Sequence, residues 1–177
     1  RLVQACGISS GPLRPRLTVP GDEGAAAGLR LAREGWAPST PLVGLAPGAA
    51  FGFANQWPPD RFASLARRLA ERGISCVLVG LPADRAAGHR VMAAFERAGQ
   101  TVGGAGTIVN LVGRTTLREL MGVMTHCESF VANDSGAAHL AAAIGLPVVT
   151  IFGPTDERIT APLQGETCRG DLVVLSH

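Results

Sequence analysis

Phe130-Val131-Ala132-Asn133-Asp134-Ser135-Gly136-Ala137-Ala138-His139-Leu140-Ala141-Ala142-Ala143-Ile144 is a short apolar run that passes, through four small or polar residues, into an alanine-rich segment. The first three residues leave no polar face, which is the pattern of a strand covered on both sides. From Ser135 onward the composition is that of a buried helix, and residues 147–152 return to a strand pattern. A strand, a helix and a second strand in this order form one unit of a parallel sheet.

The same alternation extends upstream. Leu42-Val43-Gly44-Leu45-Ala46 reads as a strand and is followed by a long Gly/Pro loop to Pro59. Phe62, Leu65, Ala66, Leu69 and Ala70 then fall on one helical face that stops at Gly73. The unit recurs as a strand over 74–80 with a helix near 84–98, and as a strand over 108–113 with a helix over 116–127. Thr116 and Glu119 have the spacing of a capping box, in which each side chain accepts the other residue's free backbone N–H. The fold class is therefore α/β, a doubly wound, Rossmann-like parallel sheet.

Residues 1–40 read as a connector and a leading helix, and 41–177 as the Rossmann-like domain. Pro12, Pro15 and Pro20 fix the backbone in an extended connector, and Ala25, Ala26, Leu29 and Ala32 give helical spacing over 23–36, with Gly35 as the stop. The chain opens at Arg1 and stops at His177, just after the strand-like run 172–175, so both ends read as cuts within a longer protein.

All 16 basic residues are Arg, and they are spread along the chain against 14 acidic ones, giving a net charge of +2 with no basic block that would indicate nucleic acid. The four cysteines, Cys6, Cys76, Cys127 and Cys168, form no C-x-x-C pair, so neither a zinc site nor a dithiol redox motif is expected, and reduced thiols in a cytoplasmic protein are. No apolar run reaches the ~18 residues of a membrane-spanning helix.

In sheets of this kind ligands bind beyond the carboxyl ends of the strands. Three strand-to-helix loops are candidates. In the first, which runs from Ala46 to Pro59, Pro47, Gly48 and Ala49 are small enough for a ligand to approach the backbone closely. In the second, the N–H groups of Ser135, Gly136 and Ala137 at a helix start would form an anion site, with a diphosphate as the natural guest. Asp134 would either cap that helix or accept from a sugar or ribose hydroxyl. His139 lies one turn after Ser135, where it would face the same ligand or sit as a satisfied core histidine. In the third, Phe152-Gly153-Pro154-Thr155 follows the next strand, and Thr155 would add a hydroxyl donor to the same pocket. Asp84 is a fourth candidate, with an ordinary N-cap as its plainer reading.

Together, Pro47-Gly48-Ala49, Trp57-Pro58, Asn133-Asp134-Ser135-Gly136-x-x-His139-Leu140-Ala141-Ala142-Ala143 and Phe152-Gly153-Pro154-Thr155 resemble glycosyltransferase family 9, whose best-known members are the lipopolysaccharide heptosyltransferases. The resemblance implies the C-terminal, donor-binding half of a GT-B enzyme with its interdomain connector. It implies ADP-heptose as donor, inversion at the anomeric carbon, and a lipopolysaccharide inner-core acceptor held by the missing domain, where the catalytic carboxylate is expected. A fragment of this kind would be inactive alone, needs no cofactor or metal, and belongs to a cytoplasmic enzyme that meets the inner face of the inner membrane only at full length.

Mapped onto this chain, the resemblance puts Pro47, Gly48, Ala49 and Asn55 along one wall of the donor pocket. Ser135, Gly136 and Ala137 would hold the diphosphate, Asp134 and His139 would position sugar or phosphate, Thr155 would close the far side, and Asp84 would reach the ribose. The chain departs from the pattern in one place. Second-heptose transferases usually carry Lys-Arg before the Trp-Pro pair, and Asn55-Gln56 stand there instead, so neutral hydrogen bonds replace a positive charge beside the leaving group. A GT-B sugar-nucleotide epimerase and a non-catalytic nucleotide-binding module are the alternative expectations.

Overall fold

The structure is a computed structural model that describes residues 6–7, 15–49, 56–97, 99 and 106–163, together with the backbone of 173–176. Its elements are α1 (Gly21–Arg33), β1 (Leu42–Ala46), α2 (Pro59–Ala70), β2 (Ser75–Leu78), a 3₁₀ turn (Pro82–Asp84), α3 (Arg85–Arg97), β3 (Ile108–Asn110), α4 (Leu117–Met124), β4 (Ser129–Asn133), α5 (Gly136–Ile144), β5 (Val148–Phe152), α6 (Glu157–Thr160) and β6 (Val173–Ser176).

The six strands form one sheet in the order β3-β2-β1-β4-β5-β6, and every neighbouring pair is parallel. The chain thus builds outward from β1 to β3, returns to the centre, and builds outward again from β4 to β6. Side chains alternate between the two faces, as the strand repeat requires. Leu42 and Ala46 of β1, with Phe130 and Ala132 of β4, pack against α1, α4 and α5 in one core. Val43, Leu45 and Val131 pack against Phe62, Ala63 and Ala66 of α2 and Val91 of α3 in the other.

The leading helix belongs to the first of these cores through Ala27 and Leu31, and Trp36 follows it there, donating its ring N–H to the Thr40 carbonyl at 3.1 Å. The helix begins at Gly21, two residues before the expected start, directly after Pro20 and with Asp22 and Glu23 in its first turn. Gly35, with φ of 100°, turns the chain out at its end. Residues 15–20 form neither helix nor strand, and Leu17 N–H donates to the Ala143 carbonyl at 2.8 Å, tying this stretch to α5.

Small residues set the distance between α1 and α4. Gly24 lies against Thr125 and Gly28 against His126, whose Nε2 meets the Gly24 carbonyl at 2.8 Å. The capping box of α4 is formed: Glu119 N–H donates to Thr116 Oγ1 and Thr116 N–H to Glu119 Oε2. The bond from Thr116 N–H holds the Glu119 carboxyl below its ordinary range. Burial pushes the Cys76 and Cys127 thiols up to about 12, which makes them packing groups and poor nucleophiles. Among the described residues no helix is long and apolar enough to cross a membrane.

A Cβ at Gly122 would stand 2.5 Å from the Glu23 carbonyl oxygen and 3.1 Å from Ala27 Cβ. Gly122→Ala gains about 1 kcal/mol of helix propensity but forces the two helices apart, at about 1–3 kcal/mol. Urea denaturation is expected to show a net loss of stability. A gain would mean that α1 is not seated as described.

Candidate functional site

The order of strands reverses between β1 and β4, so the loops that leave these neighbours run to opposite faces of the sheet and open a crevice. Pro47, Gly48 and Ala49 leave β1 at that point, and Asn133, Asp134 and Ser135 leave β4. Residues 46 and 132 are ladder partners, so the two loops start side by side.

Ser135 is the N-cap of α5, and its side chain makes no capping bond. Its hydroxyl is shut from solvent and has no partner among the described residues, and the same holds for that of Thr155 in the loop after β5. Among the described residues no side chain accepts from the N–H groups of Gly136 and Ala137, and a Cβ built on Gly136 meets nothing within 4 Å. Open N–H groups, the positive end of the helix dipole and clear space at the glycine suit an incoming anion.

Asp134 does not cap α5. Its N–H donates to the Ile151 carbonyl at 3.0 Å, and its Oδ2 accepts from Thr160 Oγ1 at 3.0 Å, which fastens the end of β4 to the last residue of α6. The cap reading fails because the chain stays extended one residue longer and Ser135 becomes the half-helical residue. Asp84 is not an N-cap either. It is the last residue of the 3₁₀ turn, and its Oδ2 reaches back to accept from Leu81 N–H at 2.8 Å. Its carboxyl lies against Gly48, where a Cβ would come within 2.2–2.5 Å of it, so the loops after β1 and β2 close on each other only because residue 48 is glycine.

His139 is exposed on α5, so the core reading does not hold. It lines a groove of about 560 Å³ together with Gly136, Arg158 of α6 and an apolar wall that includes Leu17 and Ile159. Arg158 is held in a fork by Asp156, with bonds of 3.0 and 2.8 Å. Of the predicted residues, Gly48 and Asp84 meet on one side of the switch point, and Gly136 and His139 share the groove on the other. Asn55 lies outside the described residues.

Asn133 is not among the residues the sequence singles out for a role. Its side chain is wholly buried and makes three hydrogen bonds: Nδ2 donates to the carbonyls of Pro47 at 2.9 Å and Gly48 at 3.3 Å, and Oδ1 accepts from Trp57 N–H at 2.9 Å. The available signal is a carboxamide placed last in the strand, directly after the apolar run Phe130-Val131-Ala132. Arg158 is likewise not singled out, since the short helix that carries it is not anticipated. Among the described residues no group of three His, Cys, Asp or Glu side chains is placed to hold a metal ion.

An open parallel sheet whose strand order reverses between β1 and β4 defines a Rossmann-like domain. The profile of glycosyltransferase family 9 (heptosyltransferase) matches residues 9–168. The chain is 38% identical over 123 residues to lipopolysaccharide heptosyltransferase 2 of Salmonella typhimurium, an alignment covering 70% of this chain and 34% of that protein. The solved structure of Escherichia coli ADP-heptose lps heptosyltransferase II superposes with a TM-score of 0.77 at 32% identity, over 94% of this chain and 48% of the other. That of Escherichia coli heptosyltransferase WaaC with ADP superposes at 0.64 and 20% identity, over 98% and 47%, a likeness of fold. The chain belongs to glycosyltransferase family 9, and it spans between a third and a half of the length of these relatives.

The contact between Gly48 and Asp84 can be read directly. Gly48→Ala is expected to lower the melting temperature, and adding Asp84→Ala to restore most of the loss, with a coupling of about 1–3 kcal/mol in a double-mutant cycle. Additive effects would show that the two loops do not touch.

Proposed function

We propose that this chain is the donor-binding domain of an inverting heptosyltransferase. It would hold ADP-heptose while a separate domain presents the lipopolysaccharide inner-core acceptor and a catalytic carboxylate. In that reaction an acceptor hydroxyl, losing its proton, attacks the anomeric carbon from the face opposite the nucleotide, and the bond from that carbon to the diphosphate breaks. The departing ADP carries the negative charge that must be stabilised.

The observation that carries this reading is the uncapped start of α5 at the switch point, with Gly136 and Ala137 offering N–H groups and the hydroxyls of Ser135 and Thr155 unpartnered. A diphosphate supplies acceptors for the two N–H groups. His139 adds an imidazole beside the same helix end, and Arg158, paired with Asp156, lines the same groove. Asp84, whose carboxyl lies against Gly48, would meet the ribose hydroxyls on the opposite side. Asp134, whose carboxylate accepts from the hydroxyl of Thr160, keeps acceptor capacity for a sugar hydroxyl. The choice of an adenine nucleotide follows the relative described by ADP-heptose. The full-length protein would act in the cytoplasm, against the inner face of the inner membrane.

Calorimetric titration of the chain with ADP, ADP-heptose and UDP tests this. ADP and ADP-heptose are expected to bind, and UDP to bind at least about tenfold more weakly, a difference of about 1.4 kcal/mol. If no nucleotide binds the folded chain, the donor-domain reading is wrong, and a preference for UDP would remove the heptose assignment. Asp134→Ala is expected to weaken ADP-heptose binding more than it lowers the melting temperature.

A further inference from the structure

Asn133 spends its whole side chain on one connection. Its three partners, the carbonyls of Pro47 and Gly48 and the N–H of Trp57, all belong to the stretch between β1 and α2, 76 to 86 residues away in sequence. Trp57 in turn packs edge-on against Phe62 of α2, with ring centroids 5.0 Å apart. Two carbonyls on one end of the amide and an N–H on the other leave a single orientation that satisfies all three. Burying a carboxamide completely is costly, and an apolar pair of similar shape would hold two segments together at less expense. What the carboxamide adds is direction: it fixes backbone groups at both ends of the connection relative to the last residue of β4, two residues before the N-cap of α5.

We infer that Asn133 is a positioning residue for nucleotide binding, one that sets Pro47 and Gly48 against the N-terminus of α5 so that both sides of the crevice meet the ligand. The inference rests on the nucleotide reading given above. Binding that requires the clamped arrangement must, by thermodynamic reciprocity, favour the clamp in return. Losing the clamp therefore weakens the nucleotide, and the nucleotide protects the clamp.

The probe is ADP and the protein is the whole chain. Asn133→Ala removes all three bonds. Asn133→Asp keeps the shape and the acceptor for Trp57 N–H but sets an oxygen against the two carbonyls. Both variants are expected to lose about tenfold or more in ADP affinity, and the amide of Trp57 should exchange with solvent faster in Asn133→Ala than in wild type. Asn110, at the end of β3, accepts from Val112 N–H at 3.1 Å, and among the described residues its side chain makes no hydrogen bond to either loop, so Asn110→Ala should leave ADP affinity unchanged. In the unaltered chain, saturating ADP should slow exchange at Trp57, a readout that does not depend on any variant folding.

ADP affinity equal to wild type in folded Asn133 variants would overturn the positioning role and leave the nucleotide reading intact. Exchange at Trp57 that ignores bound ADP would overturn the same role. A wild-type chain that binds no ADP would overturn both.

Discussion

Strand β1 lies at the centre of the sheet with parallel partners on both sides, and the chain leaves it in one direction and returns beside it to leave in the other. This reversal is the constraint on which the site depends. The connections after β1 and β4 must go to opposite faces, because α2 lies over one core and α5 over the other. The carboxyl ends of two adjacent strands are thereby left uncovered, and a gap is unavoidable there. How that gap is lined decides what it can bind.

Its lining depends on small side chains and on a few polar ones that are firmly held. Ala138, Ala141 and Ala142 are buried under α5 and bring that helix close to the sheet, which carries the open N–H groups of its first turn down to the strand ends. Gly48 lets the Asp84 carboxyl close on the neighbouring loop. Asn133 then joins the two sides with directed bonds where apolar packing alone would permit sliding. The same use of small residues recurs far from the site, at Gly24, Gly28 and Gly122, where it seats the leading helix and so completes one face of the sheet.

Much of the fold is legible in the sequence because its signals are local. Short runs apolar on both faces, helical spacing in Phe62-Leu65-Ala66-Leu69, the Thr116 and Glu119 box and stops at Gly35 and Gly73 each follow from a few neighbouring residues. The helix start proposed to receive the diphosphate is legible for the same reason. The roles of Asp84, Asp134 and Asn133 are not, since each is decided by a partner distant in sequence or by one residue's shift in where a helix begins. Asp134 has the composition of a cap, and it loses that role to Ser135 because ladder contacts with β5 keep the backbone extended through residue 134. Asn133 offers only the anomaly of a polar residue closing a buried strand. The helix over 157–160 is a single turn, too short to leave a periodic signal, and with it goes the placement of Arg158 on the groove.

Amide resonances of the isotopically labelled chain, followed through a titration with ADP, test the seating of the nucleotide most directly. If a diphosphate sits on the start of α5, the largest shifts should fall on Gly136 and Ala137, with smaller ones at Gly48 and Thr155 and little change along the outer faces of α2 and α3. Gly136 and Ala137 unmoved at saturation, with the shifts gathered elsewhere, would contradict it.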